Sequence, residues 1–189
     1  MIFLRPFRAS GEGIVRASFI IHIAGGLIFL FLVATLSCTP RGSVASLPGD
    51  IASLKLQDAR TGNFYEIPKL LEKYDRIFLN FWGLRCTSCL EELRHLNAFY
   101  RKSGKDGVFF AAVNTDGLPA GELLRQMESK GVEIRFPVIA DPDMTVTEVF
   151  ANGFIPHNVV ISRDGVIFER TGFNREIYEQ LTSILSRRD

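Results

Sequence analysis

Residues 17–36 (ASFIIHIAGGLIFLFLVATL) carry no formal charge apart from the titratable His22 and are mostly apolar. A run of about 20 such residues is long enough to cross a bilayer as a helix. It is also longer than the ~7–15-residue core of a cleaved signal peptide. Arg5, Arg8 and Arg16 precede it, which favours a cytoplasmic N-terminus and places the rest of the chain on the far side. Residues 39–50 (TPRGSVASLPGD) are rich in Pro, Gly and Ser and read as a flexible tether. The pattern divides the chain into a leader or anchor over 1–37, a linker over 38–50 and a folded domain over 51–189.

Within the domain the pattern shortens. Residues 52–56 alternate as a strand, 58–63 turn around Gly62, and 64–67 return as a hairpin partner. Pro68 opens a short helix ending near Tyr74. The apolar runs 77–81 (IFLNF) and 108–113 (VFFAAV) suit buried central strands. Between them, 88–102 carry Leu93, Leu96, Phe99 and Tyr100 at helical spacing. A helix over 120–130 sets Leu123, Leu124 and Met127 on one face and stops at Gly131. A strand over 136–140 and a short helix over 144–150 follow. Residues 158–162 and 166–170 are strands across the turn 163–165, and Asn174 caps a last helix through Leu185. The order predicts an α/β domain with a mixed central sheet and helices on both faces, a description that several folds satisfy.

Composition changes this picture mainly at the leader. The chain is 47% hydrophobic and 23% charged, ordinary for a globular protein, and its net charge of +1 gives no reason to expect a nucleic-acid partner. Three of the 22 basic and one of the 21 acidic side chains lie in 1–37, leaving 19 against 20 beyond, so the basic excess belongs to the leader. The three cysteines, Cys38, Cys86 and Cys89, are too few for a disulfide framework or a four-thiolate zinc site. The segment Ala34-Thr35-Leu36-Ser37-Cys38 resembles a bacterial lipobox, which makes Cys38 a candidate for lipidation. Thr35 departs from the aliphatic residue preferred at its place. An uncleaved anchor and simple secretion are the alternatives. All three put the domain outside the cytoplasm, and the first two hold it at the membrane on the periplasmic or cell-surface side.

Cys86 and Cys89 form C-x-x-C between a buried strand and the first turn of a helix. Helix N-termini offer unpaired N–H groups and a positive dipole end, so a thiolate is stabilised there and its pKa falls. The two-residue spacer lets the second sulfur resolve a mixed disulfide on the first. Cys86 is then the attacking sulfur and Cys89 the resolving one. Zinc would need further ligands, covalent haem would need His where Leu90 stands, and a structural disulfide across so short a loop would restrain little.

The stretch Phe78-Leu79-Asn80-Phe81-Trp82-Gly83-Leu84-Arg85-Cys86-Thr87-Ser88-Cys89-Leu90-Glu91-Glu92 resembles the active-site segment of the TlpA/ResA-type branch of thioredoxin-like proteins. The segments Leu54-Lys55-Leu56-Gln57-Asp58, Val113-Asn114-Thr115-Asp116, Phe136-Pro137-Val138-Ile139-Ala140-Asp141 and Gly153-Phe154-Ile155-Pro156 extend the likeness in order along the domain. It implies a thioredoxin-like fold with an extra N-terminal β-hairpin and a βα insertion, preceded here by the apolar leader helix. It also implies that Pro156 is cis beside the cysteines, that Ile155 presents backbone to a substrate, and that Trp82 packs on the active-site loop. Glu92 matches the branch's active-site glutamate, suited to shuttle the Cys89 proton. Asn80 stands where ordinary thioredoxins carry a buried Asp. Arg85 replaces an aromatic, Thr87-Ser88 replace a pair containing proline, and Arg94 replaces a proline. A guanidinium at Arg85 favours the Cys86 thiolate if it points at the sulfur. His157 and His95 read as packing or surface histidines.

The resemblance implies a membrane-tethered protein disulfide reductase whose redox group is the Cys86–Cys89 pair, with no metal or other cofactor. Its expected partners are extracytoplasmic thiol- or disulfide-bearing clients, apocytochrome c among them, and a membrane electron-donor protein. A peroxiredoxin-type thiol peroxidase is an alternative, although Gly83 stands where that type carries Thr. A copper chaperone for oxidase assembly is another, although that group spaces its cysteines by three residues.

Overall fold

The computed structural model describes residues 47–102, 107–151, 153–174 and 176–186. The apolar run 17–36, the lipobox-like segment with Cys38 and most of the linker lie outside the described residues.

A single helical turn, α1 (Gly49–Ala52), opens the described chain. The hairpin β1 (Lys55–Asp58) and β2 (Phe64–Glu66) and the helix α2 (Ile67–Lys73) follow. Next come β3 (Arg76–Trp82), α3 (Thr87–Lys102), β4 (Val108–Asn114) and α4 (Ala120–Ser129). β5 (Val138–Ala140), α5 (Thr145–Phe150), β6 (His157–Ser162), β7 (Gly165–Thr171) and α6 (Ile177–Ser186) complete it.

The seven strands form one sheet in the order β2-β1-β5-β4-β3-β6-β7. β3, β4 and β5 run parallel, while β1, β2, β6 and β7 join by antiparallel pairing. Every residue of β3 and β4 is buried, as expected of central strands covered on both faces. The extra hairpin is β1–β2, and the inserted unit is β5 with α5, β5 lying between β1 and β4.

Alternation along each strand divides the interior in two. Phe78, Trp82, Phe110 and Val160 pack on one face with α3, α4 and α6 through Leu93, Leu96, Leu123 and Leu181. Ile77, Leu79, Phe81, Ala111 and Val159 pack on the other with α1, α2 and α5 through Ile51, Leu71 and Val146.

Several boundaries differ from the expected ones. Residues 49–52 are helical and the first strand starts at Lys55, because Pro48-Gly49-Asp50 opens a turn in which Ser53 N–H bonds to the Gly49 carbonyl. Leu47 and Ile51 are already in the core, so the folded body begins ahead of residue 51. β5 begins at Val138 rather than at 136. Pro137 has no N–H to pair, and the Phe136 carbonyl accepts from Arg60 Nη1 at 2.9 Å. The last helix starts at Ile177, three residues past Asn174, whose Nδ2 donates to Glu176 Oε2 at 3.4 Å.

Candidate active site at the start of α3

The chain leaves β3 at Trp82 and must turn within four residues to enter α3. Residues at the end of β4 hold that turn. The Trp82 carbonyl accepts from Thr115 N at 2.9 Å and Thr115 Oγ1 at 3.3 Å. Asp116 Oδ2 accepts from Leu84 N at 2.8 Å and from Asn114 Nδ2 at 2.7 Å. Gly83 fits because a Cβ there would lie 3.0 Å from Ile155 Cδ1 and 3.3 Å from Asp116 Oδ1. In the sequence Asn114-Thr115-Asp116 figures only in the family likeness, with no role of its own. A polar triplet directly after a buried run was the available signal that the chain there ties something else in place.

Cys86 is the N-cap of α3: its carbonyl accepts from Leu90 N at 3.0 Å, and its Sγ accepts from Cys89 N at 3.1 Å. It is joined to Cys89 as a disulfide, with Cα atoms 5.2 Å apart. A bridged sulfur has no proton to give, so Ser88 Oγ, 3.4 Å away, is the donor toward Cys86 Sγ. Cys86 is half-buried, whereas Cys89 is fully buried. Once the bridge opens, the Cys89 N–H and the helix dipole favour charge on Cys86.

The Ile155–Pro156 bond is cis, and the Ile155 carbonyl oxygen lies 3.9 Å from Cys86 Sγ. Trp82 is fully buried in the cluster that also holds Leu84 and Cys89. Arg85 is exposed and makes no polar contact with the sulfur among the described residues. Thr87 is exposed as well.

Glu92 lies one helical turn beyond Cys89 on the buried side of α3, with no exposed surface. Its Oε2 accepts from Asn80 Nδ2 and its Oε1 from Asn158 Nδ2, both at 2.9 Å, and Asn80 Nδ2 also donates to Asn158 Oδ1 at 2.9 Å. Burial pushes the Glu92 carboxyl up to about 7, against the two amide donors, which favour the ionised form. A carboxyl with such a value, one helical turn from Cys89, suits proton transfer. From α6, Tyr178 Oη donates to the Glu92 carbonyl at 3.3 Å. Asn158 was missed in the sequence, where it reads only as the start of a strand. Its role depends on the β3–β6 register, which sets it opposite Asn80.

The two histidines stand apart from this network. His157 follows Pro156 but faces the other side of the sheet, against Phe81. Its Nδ1 lies 2.9 Å from Thr171 Oγ1. Its Nε2 is 3.1 Å from Glu169 Oε1 without hydrogen-bond alignment. His95 packs against Phe173 and Tyr178, with ring centroids 5.5 and 5.9 Å away.

Comparison with known proteins agrees with this geometry. The chain is 29% identical over 111 residues to a thiol-disulfide oxidoreductase ResA of Bacillus cereus, covering 59% of this chain and 62% of that one. It thus spans about three-fifths of the length of that relative. The fold matches StoA from Bacillus subtilis with a TM-score of 0.54 at 21% identity, over 68% of this chain and 92% of that one. It matches the thioredoxin domain of a thiol-disulfide oxidoreductase from Bacteroides vulgatus with a TM-score of 0.57 at 17% identity, over 72% and 96%. The architecture is therefore thioredoxin-like. The AhpC/TSA family profile covers residues 48–170, from the first helical turn through nearly all of β7, and the chain belongs to that family.

Proposed function

We propose that the chain is a thiol–disulfide oxidoreductase that reduces protein disulfides outside the cytoplasm. The observation that carries this reading is the Cys86–Cys89 pair at the start of α3. Its half-buried member caps the helix, and its buried member sits one turn from Glu92. The name of the ResA relatives supports the same chemistry.

In the reduced protein the Cys86 thiolate attacks a client disulfide. A new Cys86–client bond forms and one client sulfur leaves as a thiolate. Cys89, giving its proton to Glu92, then attacks Cys86 Sγ, closes the intramolecular disulfide and releases the second client sulfur. Two electrons pass to the client, and a dithiol donor must return two to the Cys86–Cys89 disulfide. The apolar run 17–36 and the lipobox-like Cys38 support a membrane tether, which raises the effective concentration of partners at the membrane surface. A membrane dithiol protein fits as the electron donor, and disulfide-bearing clients, oxidised apocytochrome c among them, fit as the substrates.

Insulin reduction by the full-length chain with a dithiol donor tests the reaction. Turnover is expected in the native chain, and Cys89→Ser is expected to hold clients on Cys86 as mixed disulfides. Undiminished turnover by Cys86→Ser, or peroxide consumption without any disulfide reduction, would sink the reading.

A further inference from the structure

Leu90, Arg94 and Arg101 recur along α3 at intervals of four and seven residues, which sets them on one face of the helix, and Cys86, the N-cap, stands four residues before Leu90. From Leu90 onward this face forms one wall of a groove of about 440 Å³, and residues 130–135, between α4 and β5, form the other. Asn97 ties the walls together. Its Nδ2 donates to the Glu133 carbonyl at 2.7 Å, and its Oδ1 accepts from Arg135 N at 2.8 Å.

Four cationic side chains, Arg94, Arg101, Lys130 and Arg135, line the groove against one carboxylate, Glu133. Glu133 is taken by Arg135 at 3.0 Å, leaving the other three without an ion pair among the described residues. Beyond the leader the chain holds 19 basic and 20 acidic side chains, so this excess is a local segregation of charge. A cation at a helix C-terminus is ordinary and accounts for Arg101 and Lys130 singly. It does not account for Arg94 in mid-helix, or for the gathering of three like charges around one cleft. Concave walls of one sign focus the field and concentrate an oppositely charged ligand.

We infer that this groove docks an acidic, extended segment of the protein whose cysteine reacts with Cys86. The inference rests on the redox reading above and names the kind of partner that reading takes. At ~1.5 Å of rise per residue, Arg94 lies about 12 Å and Arg101 about 22 Å along α3 from Cys86. An extended chain covers ~3.3 Å per residue, so the matching Asp or Glu side chains fall about four to seven residues from the reacting cysteine. An anionic membrane is the poorer occupant. Pressed onto this face of α3 it would cover the sulfur, whereas a polypeptide held on Cys86 fills the groove and leaves the chemistry open. Docking alters no step of the exchange: the same two electrons pass from the Cys86–Cys89 dithiol to the partner's disulfide.

The test uses the reduced full-length chain in non-ionic detergent. It is mixed with two disulfide-closed peptides that differ only in carrying Glu or Lys about four to seven residues from one cysteine, and separately with the neutral small disulfide dithiodipyridine. The acidic peptide is expected to react about tenfold faster than the basic one at low salt, the gap narrowing as salt screens the charges. Combined Arg94→Glu, Arg101→Glu and Lys130→Glu exchange is expected to reverse that order and to leave the dithiodipyridine rate unchanged. The milder Arg94→Gln with Arg101→Gln should fall between, and it decides the matter if the full exchange does not fold. Equal rates for the two peptides, or a preference that survives the exchange, overturns the groove. So does charge-dependent binding of anionic vesicles without any peptide preference. Failure of the native chain with dithiodipyridine overturns the redox reading instead.

Discussion

His157 and Asn158 are neighbours on β6, yet they belong to opposite faces of the sheet. Asn158 faces α3 and helps to enclose Glu92, while His157 faces α5 and reaches Glu169 and Thr171. Both titratable groups are buried and both are displaced toward their neutral forms, so the pH consequences have opposite sign. Burial raises Glu92 to about 7 from 4.5 and lowers His157 from 6.5, the nearby Glu169 partly opposing the second shift. On one face the buried group is brought to a value where it can exchange a proton near neutrality. On the other, burial keeps an imidazole uncharged as part of the packing.

The widest separation of the two faces is expected at the cysteines. Cys86→Ser should lower disulfide reduction by about a thousandfold or more. His157→Gln should leave it within about twofold of native, as measured by insulin reduction. Equal losses would mean that both faces serve the reaction. Glu92→Gln should slow the resolving step by about a hundredfold at neutral pH and remove the step near pH 7 from its pH profile, without changing alkylation of Cys86. Rapid-quench trapping of the mixed disulfide measures the first effect, and iodoacetamide kinetics the second.

Stability sharpens the contrast. Between pH 4.5 and about 7 the folded state holds the Glu92 proton that the unfolded chain has lost, so stability falls as pH rises through that window. The decrease is of order 3 kcal/mol and disappears in Glu92→Gln, as read from urea midpoints against pH. Below 6.5 the unfolded chain takes up a proton that folded His157 resists, so this contribution is lost as pH falls, and His157→Gln removes that dependence. Asn158→Ala should cost about 1–3 kcal/mol by leaving a carboxyl oxygen without its donor, and should move the Glu92 titration further upward. The smallest change is the loss of the Nδ1 contact in His157→Gln, about 1 kcal/mol at neutral pH.

The sequence made the central strands visible because burial on both faces leaves runs such as IFLNF and VFFAAV without alternation. The Cys86–Cys89 pair was visible because it depends only on local spacing at a helix start. Glu92 and the cis Pro156 came through family resemblance, which carries information that periodicity lacks. Asn158, Asp116 and the groove beside Arg94 were hidden for one reason: each acquires its role from a residue at least 30 positions away. Asn158 needs the β3–β6 register, Asp116 needs the turn after β3, and the groove needs residues 130–135 brought against α3. The misplaced first strand is different in kind. The Leu54/Leu56 alternation was correct, but Pro48-Gly49-Asp50 inserts a helical turn just before it.

Asn80 and Asn158 sit directly across β3 and β6, and the carboxyl of Glu92 bridges them from above the sheet. A slip of one residue between those strands would turn one amide to the wrong side and bring Val159 or His157 opposite Asn80. Glu92 would then be sealed in a nonpolar layer with a donor missing, at a cost comparable to a sizeable part of a small domain's net stability. Glu92 thus also serves as a check on assembly, since a misregistered β3–β6 pair in the interior of the sheet leaves its carboxyl unsatisfied. Replacing all three polar residues with aliphatic ones should yield a chain that is at least as hydrophobic but less faithful in how its strands align.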